Sequence, residues 1–224
     1  MRAIDVIVEL HALSDESYLM GMSYFGINSE QALGVSVVKL RQMARRIGKN
    51  HALALELWET DLHEARILAT MIADPVAVTE AQMERWVAQF DSWDICDQCC
   101  GNLFDKTTLA WDKAVEWSAR EREYEKRAGF VLMAYLAVHD KHTPDERYLP
   151  LLAIIKREVG DTRNFVKKAI NWALREIGKR NATLNQAAII TAQEIQAQSS
   201  RGSWVASNAL NELTSEKVQA KLRR

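Results

Sequence analysis

The sequence predicts an all-α fold, a solenoid of stacked helix pairs, from three observations. Only 3 prolines and 9 glycines punctuate 224 residues. No segment sustains the period-two alternation of β-branched residues that marks a strand. Apolar residues recur instead at helical spacing, segment after segment, across short polar joins such as "ADP", "DKT" and "HTPDE". Successive helices with short joins pack antiparallel, and a succession of such hairpins in which no helix is hydrophobic all round buries its stripes by stacking, at about 40 residues per pair. A closed helical bundle meets the same pattern; a solenoid differs in presenting a long concave surface.

Taken in order, "SVVKLRQMARRIG" starts at a Ser36 cap and stops at Gly48. Helices are expected over 51–58 and 61–73. "TEAQMERWVAQF" offers Thr79 and Gln82 as a capping box ahead of Met83, Trp86, Val87 and Phe90. The pattern continues through 92–104, 107–119, 121–139, 145–159, 162–180 and 183–199. The length suits one large or two small domains, and a single repeat domain over 1–224 is the expectation.

With Lys+Arg 29 against Asp+Glu 30, hydrophobic residues at 48% and charged residues at 26%, the chain is neither disordered nor generally basic. Binding to nucleic acid must then come from a local surface. "RNFVKKAINWALREIGKR", residues 163 to 180, is such a surface, with Arg163, Lys167, Lys168, Arg175, Lys179 and Arg180 against only Glu176. If Val166, Ala169, Ile170, Ala173, Leu174 and Ile177 form its apolar stripe, a rotation of about 100° per residue puts Lys168, Trp172, Arg175 and Lys179 on the opposite face. An indole then stands in a row of cations, although a separate apolar face exists to be buried. The chain shows no cationic, apolar leader and no apolar run long enough to span a bilayer, so it is expected to be cytoplasmic with no membrane partner.

"DSWDICDQCCGNLFD", residues 91 to 105, holds the second candidate site. If Ser92 caps a helix, Trp93 and Asp97 lie four residues apart on one face, while Ile95, Cys96, Cys99 and Leu103 supply the core side. An acid beside an indole attracts a cation twice, through the carboxylate charge and through the ring face. The plainer reading is that Trp93 packs between repeats and that Asp94 and Asp97 complement the helix N-terminus. The clustered Cys96, Cys99 and Cys100 fit reduced thiols, not a secreted disulfide framework. Cys96 and Cys99 could join His139 and His142 in a four-ligand zinc set, but on a helix these thiols fall on the apolar side, so no metal is expected. His11, His51, His63, His139 and His142 lack any nucleophile elbow or H-E-x-x-H nearby, and no Gly-rich phosphate loop occurs. In "EKRAGFVLMAYL" a basic pair precedes a long apolar run; Arg127 is either a flank paired to Glu123 or part of the surface carrying the tryptophans.

Taken together, "SWDICDQ", "EKRAGFVLMAYL" and "FVKKAINWALREIGKR" resemble the DNA alkylation repair family of HEAT-like-repeat DNA glycosylases. Their order and spacing fit across most of the chain, and "GINSEQALGVSVVKLRQMARRIG" and "LWETDLHEARILA" are similar to the family's N-terminal repeats. The resemblance implies a fold of HEAT-like repeats with a concave basic groove. It implies Trp93 and Asp97 as the family's aromatic and aspartate, Arg127 as its arginine, Trp172 as its second aromatic and Arg175 as a DNA contact, and it assigns none to Tyr24, Phe25 or Asn28. The implied activity is excision of cationic alkylated purines, N3-alkyladenine and N7-alkylguanine, from double-stranded DNA in base excision repair. The enzyme would be a monomeric N-glycosyl hydrolase without cofactor, working at the nucleoid.

Such a lesion is cationic, and breaking its glycosidic bond leaves oxocarbenium character on the sugar. Trp93 and Trp172 would clamp the deoxyribose, Asp97 would stabilise the cation near C1′ and position water, and Lys168, Arg175, Lys179 and Arg127 would hold phosphates. A carboxylate about 4 Å from a unit charge, at an effective dielectric of ~20, contributes about 4 kcal/mol, and each ring ~0.5–2 kcal/mol. That is roughly four to six powers of ten in rate, enough only for bases that already leave easily. The resemblance also implies detection through the DNA backbone, with no pocket that grips the base. The rival is a non-catalytic α-solenoid scaffold for DNA, RNA or protein, which leaves Asp97 among phosphate-binding cations without a purpose.

Overall fold

In the computed structural model, which describes residues 1–198 and 202–223, the helical spacing of apolar residues is realised throughout: the described residues form fourteen α-helices and no strand. None of these helices is long and apolar enough to cross a membrane. The chain divides into two compact units, Met1–Thr107 and Thr108–Arg224.

The first unit contains α1 (Ala3–Ala12), α2 (Glu16–Tyr24), α3 (Val37–Ile47), α4 (His51–Trp58), α5 (His63–Ile72), α6 (Glu80–Ala88) and α7 (Trp93–Asn102). As expected, Ser36 caps α3 by accepting from the Lys39 amide at 3.5 Å, and the chain leaves that helix at Gly48 with φ of 72°, a conformation cheap only for glycine. The Thr79–Gln82 capping box forms by half. Thr79 accepts from the Gln82 amide at 3.2 Å, but the Gln82 side chain is buried and its Nε2 has no hydrogen-bond partner among the described residues. The core centres on Trp58 stacked on Trp86, with ring centroids 3.9 Å apart and planes 3° from parallel. α5 runs through this core, and every residue from His63 to Thr70 is buried.

The second unit contains α8 (Ala110–Ser118), α9 (Glu123–His139), α10 (Leu149–Glu158), α11 (Asn164–Gly178), α12 (Ala182–Gln198), α13 (Ser203–Leu213) and α14 (Glu216–Leu222). α9 packs along both α8 and α11, and its residues Arg127 to Ala134 are all buried. Over these stretches α5 and α9 are enclosed on every side, although neither is hydrophobic all round. A stripe read from the sequence marks the preferred face of a helix but not how many neighbours surround it.

One glycine sets the α8–α9 approach. A Cβ at Gly129 would lie 2.3 Å from the Ser118 amide nitrogen and 2.9 Å from the Ala114 carbonyl oxygen, so the two backbones approach as closely as they do only because that atom is missing. The expected helix over 145–159 splits, with a 3-10 turn at Asp145–Arg147 and then α10, which has Pro150 in its first turn where a missing N–H costs nothing. α12 ends at Gln198; the last position expected for it, 199, lies outside the described residues.

Candidate nucleic-acid interface

Ser92 occupies the N-cap of α7 with extended backbone, φ −149° and ψ 146°, but its hydroxyl caps no helix amide. It donates instead to Asp94 Oδ1, which also accepts from the Ile95 amide at 3.0 Å. The other oxygen of Asp94 meets His63 Nε2 at 2.8 Å, tying the first turn of α7 to the first turn of α5. Burial alone favours the neutral form of each group. Their shared hydrogen bond and opposite charges outweigh it, so the His63 imidazole is held above its ordinary range and the Asp94 carboxyl below.

With Asp94 engaged inward, Trp93 and Asp97 share the half-buried side of α7. The indole N–H of Trp93 donates to the Phe25 carbonyl at 3.0 Å, which fixes the ring at the C-terminal end of α2. The core side is as expected: Ile95, Cys96, Cys99 and Leu103 are buried. Burial pushes the thiols of Cys99 and Cys100 well above their usual range, so they stay neutral core groups.

In the second unit the apolar stripe of α11 is realised at all six expected positions, since Val166, Ala169, Ile170, Ala173, Leu174 and Ile177 are fully buried. Trp172 lies half-buried on the other side. Its edge packs against Tyr135 with centroids 5.1 Å apart at 74°, and its N–H donates to Glu176 at 3.1 Å. Lys168 is exposed. Arg175 is ion-paired to Glu212 of α13, and Lys179 reaches Glu176 at 2.7 Å and Glu212 at 2.8 Å. The row of cations is therefore balanced by a second acid, not by Glu176 alone. Arg127 is only 5% exposed, and its Nη1 donates to the Phe165 carbonyl at 2.5 Å, joining α9 to the start of α11. Arg180, counted among the basic surface residues, is also committed inward: it donates to the Ala137, Asp140 and Thr143 carbonyls and lies over the Tyr148 ring at 4.5 Å. Arg163 is taken by Asp161, whereas Lys167 lies 5.3 Å over the half-exposed ring of Trp204.

Trp93 thus shares a surface with Asp97, and Trp172 with Lys168, Arg175 and Lys179. The sequence reading missed Glu212, Tyr135 and the Phe25 carbonyl. Glu212 follows Arg175 by 37 positions and Phe25 precedes Trp93 by 68, beyond any local spacing rule.

A profile of the DNA alkylation repair enzyme family matches residues 6–211. An uncharacterized protein of Listeria innocua serovar 6a, Lin0241, is 24% identical over 191 residues, covering 84% of this chain and 83% of its own. A solved structure superposes with a TM-score of 0.84 at 24% identity over 99% of this chain and 96% of that one; its protein belongs to a group described as related to the HEAT-like repeat DNA glycosylases, with affinity for branched DNA structures. Fold and profile agree over nearly the whole length, and the chain belongs to the DNA alkylation repair enzyme family.

Proposed function

We propose that this protein is a DNA glycosylase that removes cationic alkylated purines, N3-alkyladenine and N7-alkylguanine, from duplex DNA. Asp97, Trp93 and Trp172 act as catalytic residues, and Lys168, Arg175, Lys179 and Arg127 serve the DNA backbone. The observation that carries this reading is Asp97 one turn beyond Trp93 on the half-buried side of α7, an acid set beside an indole in a member of a repair family. A carboxylate and a ring face both stabilise a sugar that becomes positive as its base departs. Lys168 is available to a phosphate as it stands. Arg175 and Lys179 must exchange Glu212 for one, and Arg127 acts by holding α9 to α11. Incubation with a duplex carrying one N7-methylguanine tests the activity: release of free base above the spontaneous rate supports it, and release at that rate refutes it.

Glu212 favours a second reading, in which the protein binds DNA without excising bases. Two cations of α11 already hold a counter-ion, and the structural relative's group has affinity for branched DNA. Tight binding to a four-way junction together with no release of N7-methylguanine would select it.

A further inference from the structure

The first unit also holds a cavity that the indoles and cations leave unused. It measures about 250 Å³ and is walled by Tyr18, Met22, Phe25, Ile27, Val35 and Ile67. Pockets for drug-sized ligands begin near ~300 Å³, so this one holds a single ring system.

Its polar end is formed by His63, Asp94 and Glu64. Glu64 Oε2 accepts from the Leu33 amide at 3.0 Å, and its Oε1 is saturated, accepting from the Leu33, Gly34 and Val35 amides at 3.0, 2.8 and 3.1 Å. It contributes charge to the cavity but no open hydrogen-bonding position on that oxygen. His63 is 4% exposed and commits Nε2 to Asp94, while no hydrogen bond reaches its Nδ1 among the described residues. A carboxylate only accepts, so Nε2 carries a proton toward Asp94, and in the imidazolium that this pairing favours Nδ1 carries an N–H of its own.

These features narrow the occupant. An anion would face two carboxylates at close range. A hydrocarbon would cover Nδ1 and leave its N–H unsatisfied. A flat ring meets aromatic walls at Tyr18 and Phe25. What remains is a neutral planar heterocycle with a ring nitrogen that accepts.

We propose that this cavity binds one purine-sized nucleobase, as a free base or as an unpaired base of a DNA strand, with a ring nitrogen accepting from His63 Nδ1 and its faces against Tyr18, Met22 and Phe25. The site goes beyond the excision reading and stands or falls without it. Phe25 gives it a structural link to Trp93, because the Phe25 carbonyl accepts the Trp93 indole N–H.

The test is a fluorescence titration of the full chain with 2-aminopurine, presented as the free base and as a single unpaired bulge in a duplex. Saturable quenching is expected in at least one arm. Quenching by the free base assigns a free-base site, and quenching by the bulge but not by the matched, fully paired duplex assigns an extrahelical one. Gly21 lines the cavity, and a Cβ there meets nothing within 4 Å, so Gly21→Leu narrows the space while improving helix propensity. Gly21→Leu and His63→Phe should each weaken binding by about tenfold or more. The proposal is overturned if neither arm saturates, if a Gly21→Leu protein folded like the wild type binds as tightly, or if indene, which has no ring nitrogen, competes as well as adenine.

Discussion

Glu212 of α13 forms an ion pair with Arg175 of α11, and the same carboxylate accepts from Lys179 at 2.8 Å. Either of these two cations must therefore give up an acid before it can reach a DNA phosphate. Glu212→Gln keeps the shape and removes that competitor. Affinity for duplex DNA should rise by roughly three- to tenfold at low salt, with a steeper salt slope. The partly exposed pair should cost only about 1 kcal/mol in stability when broken. Fluorescence anisotropy across a salt series reads the effect, and unchanged or weaker binding would remove α11 from the interface.

Lys168 needs no such release. Lys168→Ala should weaken duplex binding about equally for all sequences and reduce the salt slope by roughly one unit, at little cost to stability. A loss confined to one sequence would argue against backbone recognition.

Asp97 offers the sharpest test of catalysis. With Asp97→Asn, excision of N7-methylguanine should fall by about two to three powers of ten, the larger part of a ~4 kcal/mol Coulomb effect. Affinity for undamaged duplex should hold or increase, because a negative charge has left. Single-turnover kinetics and anisotropy separate the two outcomes. Equal excision by both forms, or efficient release of the neutral base uracil by the wild type, would defeat the mechanism.

Trp172 is held by an edge contact to Tyr135 and a hydrogen bond to Glu176. Trp172→Ala should cost about 1–2 kcal/mol in urea unfolding and leave the fold intact, while lowering excision by more than tenfold. A cost near ~4 kcal/mol, typical of deleting an enclosed ring, would make the indole part of the core instead.

Stability should depend on pH through His63 and Asp94. The raised imidazole contributes fully below its ordinary value of 6.5, and that contribution is lost as pH climbs through the folded value. The lowered carboxyl contributes fully above 3.8, and that contribution is lost as pH falls through its folded value. The gap between wild type and Asp94→Asn should therefore be widest between those two limits, at about 3 kcal/mol, and should narrow on either side. Urea unfolding at a series of pH values checks this, and a gap that stays constant would mean that the pair is not ionic.

Where a rule is local, the sequence was legible. A 3.6-residue period picks out Val166, Ala169, Ile170, Ala173, Leu174 and Ile177 without reference to any other helix, and all six are buried. The placement of Cys96 and Cys99 on the core side followed from the same period. What escaped was decided between helices. Arg127 looked like a solvated flank or a DNA contact until α11 placed the Phe165 carbonyl beside it. His63 was weighed only as part of a histidine motif, whereas its role comes from Asp94, 31 positions away. Charge balance misled for the same reason, because Glu212 is remote in sequence from the cations it neutralises.

The missing side chain at Gly129 leaves α9 resting on the backbone of α8 at Ser118 and Ala114. Contacts between side chains can creep as rotamers readjust, but two main chains at touching distance have no such slack. Residue 129 therefore acts as a datum from which positions along α9 are measured. Arg127, two residues before it, and Tyr135, six after it, cannot slide independently along their neighbours. A sequence change elsewhere in this unit would then be transmitted to Trp172, through Tyr135, as a displacement of the whole rod, so the setting of that indole is inherited from a contact with no side chain on one side.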